Sequence, residues 1–183
     1  MKIIGFGGLS ESGKSYSGKY LERKYGIPRI KLVNILEKLR YNFFKNKINL
    51  DEFHDFLYST ENKFTTFLLD QMILEIEYHY GDHPVIVVES LRNPILGKHF
   101  KTSLGDNFEN VYFEVAFLTR VRREAEKLGE SVDEIIEKTY LKDQEKILHG
   151  ALEFKELSDI IYDNNGTIKM LEIFLDDLVK NYI

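Results

Sequence analysis

Short apolar runs alternate along this chain with stretches in which apolar residues recur every three or four positions. Lys2–Phe6 (KIIGF), Val85–Val88 (VIVV, entered from Pro84), Val111–Phe117 and Ile160–Tyr162 predict strands, and Ile27–Leu32 a weaker one. Ser15–Tyr25 predicts a helix stopped by Gly26 and Pro28. Val33–Phe44 spaces Ile35, Leu36, Leu39, Phe43 and Phe44 as a helix does. Asp51–Tyr80 reads as mostly helical, with one stripe of Phe53, Phe56 and Leu57 and another of Phe64, Phe67, Leu68, Met72 and Ile76. Leu118–Leu128 predicts a helix ended by Gly129, and Ser131 opens the next, with Glu134 at the spacing of a capping box. Thr167–Tyr182 is a last amphipathic helix. Strands alternating with helices predict an α/β fold in three layers, a mostly parallel sheet flanked by helices. Ligands of such sheets bind beyond the carboxyl ends of the strands. No repeat, linker or low-complexity tract interrupts the pattern, so a single domain over residues 1–183 is expected.

Composition narrows the possibilities. The chain has 183 residues, of which 43% are hydrophobic and 30% charged, with no Cys. That apolar fraction supports a packed core and argues against disorder. Without cysteine there is no disulfide framework, thiolate metal site or thiol nucleophile. The net charge of −5 argues against nucleic acid as a partner, because coating it takes a basic surface. No apolar stretch approaches the roughly 20 residues of a membrane span, and the N-terminal apolar run is cut at Gly5. A soluble, cytoplasmic protein without a membrane partner, monomeric or homodimeric, is the expectation.

The sharpest motif is Gly8-Leu9-Ser10-Glu11-Ser12-Gly13-Lys14-Ser15, which satisfies G-x-x-x-x-G-K-S/T between a strand and a helix. Glycines let the backbone curl so that successive N–H groups face inward as an anion nest. The helix that begins there adds the positive end of its dipole. Lys14 can reach the outer phosphates of a nucleotide, and the Ser15 hydroxyl can ligate Mg²⁺. Gly8, Ser10, Glu11, Ser12, Gly13, Lys14, Ser15 and the adjoining Tyr16 are therefore the candidate donor-binding residues. Glu11 would repel phosphate if turned inward, so it is expected to face solvent. A GTPase would need an N-K-x-D segment. Asn62-Lys63 continues as Phe64-Thr65, and the Asp is missing.

Three further segments carry a resemblance. Val85–Pro94 (VIVVESLRNP) looks like the strand-plus-Asp-Gly-x-Arg-Ser/Asn-Pro segment of dephospho-CoA-kinase-like and adenylate-kinase-like proteins. Thr119–Arg123 (TRVRR) looks like the start of their lid, and Asp159–Thr167 (DIIYDNNGT) like their final strand and turn. With the phosphate loop, the chain thus resembles the P-loop nucleoside and nucleotide kinases. The resemblance implies an ATP- and Mg²⁺-dependent phosphotransferase with a nucleotide-like or nucleoside-like acceptor and a small helical lid around residues 119–150. Three positions depart from the pattern. Glu89 stands for Asp, Ser90 for Gly, and Asn34-Ile35-Leu36-Glu37 occupies the place of an adenylate kinase's Asp-x-Leu-Arg.

On that resemblance the catalytic candidates are Lys14, Glu89, Arg92, Arg120 and Arg123. Glu89, ending the best buried strand, would hold metal with Ser15 or orient an acceptor hydroxyl. The Arg92 fork would clamp an acceptor phosphate. Arg120 and Arg123, three apart on one helical face, would stack on the donor base and neutralise the transferring group. Asn165 and Gly166 would place the donor base. Each has a plain alternative as a strand-end acid, a solvated arginine or a tight turn. Lys127, Lys142 and Asp143 are weaker lid candidates. Arg40, Tyr41, Phe43 and Phe44 either line an acceptor pocket or belong to the core. The five histidines, His54, His79, His83, His99 and His149, lack metal-ligand spacing and read as structural or surface residues. Two other functions fit the departures, an ATPase or nucleotide switch without an acceptor, and a module that binds nucleotide without chemistry.

Overall fold

The computed structural model describes residues 1–59 and 62–183. Its five strands, β1 (Lys2–Gly7), β2 (Arg29–Lys31), β3 (Val85–Glu89), β4 (Phe108–Glu114) and β5 (Ile160–Asp163), form one sheet in the order β2-β3-β1-β4-β5. Every pairing is parallel. The helices are α1 (Lys14–Tyr25), α2 (Leu32–Phe44), α3 (Leu50–Ser59), α4 (Lys63–Tyr80), α5 (Pro94–Leu104), α6 (Phe117–Leu128), α7 (Val132–Leu148), α8 (Ala151–Glu156) and α9 (Ile168–Val179).

The central strands read as continuous apolar runs because both faces are covered. Ile3, Ile86, Val88 and Phe108 face a core shared with α2, α3, α4 and α5. Their alternates Ile4, Phe6, Val85, Val87, Val111 and Phe113 face a second core with α1 and α9. The register sets Phe6 beside Glu89, so the acid that ends β3 lies next to the residue feeding the phosphate loop.

Two boundaries differ from the periodicity and one helix is added to it, for local reasons. The predicted helix 51–80 is two helices. Asn62 caps α4 by accepting from the Phe64 and Thr65 N–H groups, so that helix starts afresh at Lys63. Residues 60 and 61 of the predicted span lie outside those described. β4 starts at Phe108 and stops at Glu114, short of the predicted Phe117, which instead begins α6. Helix α5 carries no strong stripe, and Gly97 weakens its propensity. Its signals are the Asn93 cap and Pro94 in the first turn.

Helices α6 and α7 pack together through their own apolar cluster of Val121, Ala125 and Ile135, with Phe117 against it. The Ser131–Glu134 capping box is present at the start of α7. The short α8 then returns the chain to the sheet. Its fully buried Phe154 lies over Gly7 and Gly97, where any Cβ would collide with the ring. Among the described residues no helix is long and apolar enough to cross a membrane.

Phe154→Ala is expected to cost about 3–5 kcal/mol, read as a lower urea midpoint at unchanged slope. An unchanged midpoint would mean that α8 does not anchor α7 to the sheet.

Candidate functional site

Residues 8–13 turn the chain from β1 into α1. Gly8 has φ +137°, and a Cβ there would press to 2.7 Å on the Phe113 carbonyl. Gly13, at φ +99°, lies where a Cβ would come within 2.5 Å of Asn164 Nδ2. Gly13 caps α1 without any side-chain bond, so the helix's first N–H groups stay open toward the loop's hollow. Lys14 folds over that hollow. Its Nζ donates to the carbonyls of Gly8 (2.8 Å) and Leu9 (2.6 Å) and to Ser12 Oγ (3.0 Å). Burial, with the nearby Lys146 ammonium, pushes the Lys14 pKa down to about 7, against the opposing pull of Glu11 and Glu89. A cation held this close to neutrality favours an anion that restores its charge.

Ser15 Oγ donates to Glu89 Oε2 at 3.3 Å, and Glu89 is 2% exposed. The other carboxylate oxygen accepts from Arg29 Nη1 at 3.1 Å. Sequence reading passed over Arg29, which carries no motif. Its signal is geometric, since Gly18 of α1 clears the space in which Glu89 and Arg29 meet. A hydroxyl and a carboxylate side by side are hard oxygen donors that suit Mg²⁺, which takes one or two protein oxygens and keeps its waters and phosphate ligands. Among the described residues no group of three acidic or histidine side chains offers an all-protein metal cage.

The helix pair and the last turn tie the loop down. Arg120, expected to face a nucleotide, is 3% exposed and engaged with protein. Its Nη1 donates to Asp143 Oδ1 (2.9 Å) and to the Ser10 carbonyl (3.2 Å), and its Nε to the Val115 carbonyl (3.2 Å). It joins α7 to the loop and leaves Arg123 alone on the cavity side. Arg123 Nη2 donates to the Asn164 carbonyl at 2.8 Å. Asn164 holds the loop, donating from Nδ2 to the Ser12 carbonyl at 2.9 Å. Asn165, a candidate for placing the donor base, accepts from the Ala116 N–H and donates to Asp163. The Gly166 carbonyl lies 3.5 Å from Arg123. Glu11 takes φ +52° and, still partly exposed, pairs with Lys127 of α6 at 3.2 Å. Lys146 of α7 was not foreseen. Its Nζ donates to Ser10 Oγ at 2.5 Å, and burial together with Arg92 lowers its pKa.

One cavity lies at the loop and a second at the ends of β2 and β3. The larger, about 480 Å³, opens on the β4–β5 side and is lined by the loop residues Glu11 to Tyr16, by Arg123 and Lys127, and by Asn164 and Ile168. The smaller, about 230 Å³, lies on the β2–β3 side between α2, α3 and the turn carrying Ser90, Arg92 and Asn93. Ser90 sits at φ +70°, a backbone conformation that favours glycine. Arg40 is not in the smaller cavity. It bonds to the Ile48 carbonyl and to Glu37, while Phe43 and Phe44 pack on Phe56, Phe64 and Phe67. His54 and His149, read as structural or surface residues, line it instead.

No family model matches the chain. It is 26% identical over 189 residues to a UPF0200/UPF0201 protein of Archaeoglobus fulgidus, an alignment covering 99% of this chain and 57% of that protein. The chain thus spans a little over half the length of the curated relative it matches. Among solved structures, an uncharacterized protein from Eubacterium ventriosum superposes with a TM-score of 0.62 at 13% identity, covering 100% of this chain and 98% of the other. Shikimate kinase from Bacteroides thetaiotaomicron superposes at 0.51 and 14% identity, covering 98% and 97%. Likeness at these identities establishes the fold, a P-loop kinase-like one.

Two expectations follow from this geometry. A polyphosphate binds the charged form of Lys14. Above the free lysine's pKa of about 7, affinity for inorganic triphosphate is expected to fall by up to tenfold per pH unit, as titration calorimetry from pH 6 to 9 would record. A flat profile would place the ammonium away from the anion. Arg120→Ala is expected to cost about 3–5 kcal/mol by leaving Asp143 buried and unpaired. Arg120→Ala with Asp143→Ala should cost less than the sum of the two single changes in a double-mutant cycle.

Proposed function

We propose that the protein is an ATP- and Mg²⁺-dependent small-molecule kinase whose acceptor is nucleotide-like or nucleoside-like. What supports this reading is a cavity at the loop together with a second cavity at the β2–β3 ends, whose Arg92 is near enough to act on the charge of Lys14. A simple ATPase needs only the first. The β-strand order reverses at β1, and the two cavities use the two sides of that switch point.

Each residue then has a task. The open N–H groups of the loop and α1 hold the donor's phosphates, and Lys14 neutralises their outer charge. Arg123 and the turn at Asn165 and Gly166 place the donor base. Ser15 and Glu89 offer oxygens for Mg²⁺, which when bound with the nucleotide screens the phosphate charge. Arg92 faces the acceptor. Lys146 supplies, from α7, the cation that sequence reading had assigned to Arg120. In the transfer an acceptor oxygen bonds the γ-phosphorus as the bridging P–O bond breaks, and the bridging electrons leave on ADP. The proton of an acceptor hydroxyl leaves with the transferred phosphate or to water, since both oxygens of Glu89 are engaged by Ser15 and Arg29. Closure of the α6–α7 pair would exclude water, which otherwise competes as acceptor.

The test is ATP turnover across a panel of nucleosides, monophosphates and small alcohols. Acceptor-dependent ADP release is expected. Turnover indifferent to every acceptor would favour a nucleotide switch, and none at all a binding module. Lys14→Ala and Glu89→Gln should each lower the transfer rate by about 10²-fold or more. Lys146→Ala should lower kcat by about tenfold or more while the KM for ATP moves less.

A further inference from the structure

Helix α4 keeps one face bare. Leu68, Met72 and Ile76 are fully buried in the core. On the opposite side Lys63, Phe67, Asp70, Leu74, Glu77 and Tyr78 recur at helical spacing, all of them exposed. Leu74 is 53% exposed and Tyr78 83%. Toward the other end of the stripe, Phe67 joins Phe64 of the same helix and Phe43 of α2. Their ring centroids lie 5.6 Å (Phe43–Phe67), 6.3 Å (Phe64–Phe67) and 6.4 Å (Phe43–Phe64) apart, and each ring remains exposed. Apolar surface therefore stands at both ends of one helix face, an aromatic cluster toward its N-terminus and Leu74 with Tyr78 toward its C-terminus. Single exposed apolar residues are ordinary, but a run of them on one face marks a contact surface.

The charges on the same stripe run against the helix dipole. Lys63 is the first residue of α4, and Glu77 stands in its last turn. A helix N-terminus favours an anion and a C-terminus a cation, so both are reversed. Among the described residues neither forms an ion pair, whereas Glu75, on the flank toward α2, pairs with Lys38. The two are 14 residues apart (77 − 63), about 21 Å along the axis at a rise of 1.5 Å per residue, so they cannot meet within one chain. A second copy of α4 packed antiparallel about a two-fold axis changes this. It sets Lys63 of each copy over Glu77 of the other, and the aromatic cluster of each over Leu74 and Tyr78 of the other. Both reversed charges are then answered and both apolar ends covered. Asp70 lies nearest that axis, and His99 of α5 contacts it at 2.9 Å.

We propose that the exposed face of α4, with the end of α2 beside it, is the interface of a two-fold symmetric homodimer in which the two α4 helices pack antiparallel. The occupant is a second copy because the stripe, turned end for end, complements itself in both charge and apolar surface. The inference uses neither the phosphate loop nor the kinase reading.

The experiment is sedimentation equilibrium of the full chain over about 1 to 300 μM at low ionic strength, where exposed charge pairs act most strongly. A reversible dimer of twice the 21.5 kDa chain mass is expected. Leu74→Glu, at an exposed position, should raise the dissociation constant at least tenfold, with melting curves showing that the variant folds. Lys63→Glu and Glu77→Lys each replace two attractions across the axis by two repulsions, and each should weaken self-association at least tenfold. Mixed together, these two variants regain both attractions, so their heterodimer should form at least tenfold more tightly than either homodimer. Each change also agrees better with its own helix dipole. An effect confined to the single chain would therefore raise the melting temperature and give no preference in the mixture. Asp70→Asn removes like charges from the axis and should tighten the dimer. A chain that stays monomeric throughout the range would overturn the proposal and leave the face to another partner. So would a dimer that Leu74→Glu leaves intact, one that Asp70→Asn weakens, or a mixture of the Lys63→Glu and Glu77→Lys proteins that associates no more tightly than its components.

Discussion

A lysine ammonium held on the carbonyls of its own loop organises this molecule. Lys14 bonds to the Gly8 and Leu9 carbonyls and to Ser12 Oγ, which closes the turn between β1 and α1 around a hollow of anion size. The cost is a cation at the edge of losing its proton, with a pKa pushed down to about 7. Evolution has not relieved that strain with a bonded carboxylate. Glu11, the acid inside the loop, is drawn away to Lys127, and Glu89 is occupied by Ser15 and Arg29.

The rest of the fold keeps that loop in shape. Asn164 reaches back from the end of β5 to the Ser12 carbonyl. Arg120 reaches from α6 to the Ser10 carbonyl and Lys146 from α7 to its hydroxyl. Each tie comes from an element far along the chain, and each ends on the same few residues. The buried Arg120–Asp143 pair therefore couples the orientation of the helix pair to the geometry of the loop. The helix pair also has a small apolar core of its own, separate from the two layers beside the sheet.

The sheet order distributes the chemistry. With β1 in the middle, α1 carries Ser15 toward β3, where Glu89 ends. The β4 and β5 ends face the larger cavity, and the β2 and β3 ends the smaller. A histidine on α3 and one after α7 meet in the smaller cavity although 95 residues separate His54 from His149 (149 − 54). Neither has a local pattern that marks it.

Fold class, strand positions and the phosphate loop were legible in the sequence because each is written in near neighbours. Alternation and apolar runs record what a strand buries, and G-x-x-x-x-G-K-S/T records a backbone path that few other residues can follow. Helix α5 was missed because its cap at Asn93 and its proline stand in for a stripe, and α8 because six residues are too few to show a period. The partners of charged groups were not legible. Nothing near position 120 in the sequence says that its guanidinium meets Asp143, or that Lys146 and not an arginine reaches Ser10. A charge's role depends on what folding packs against it, at distances the chain order does not encode. The sequence by itself determined where the chain turns through a glycine loop between β1 and α1 at residues 8–15, and only the tertiary structure decided which charged groups pack around it.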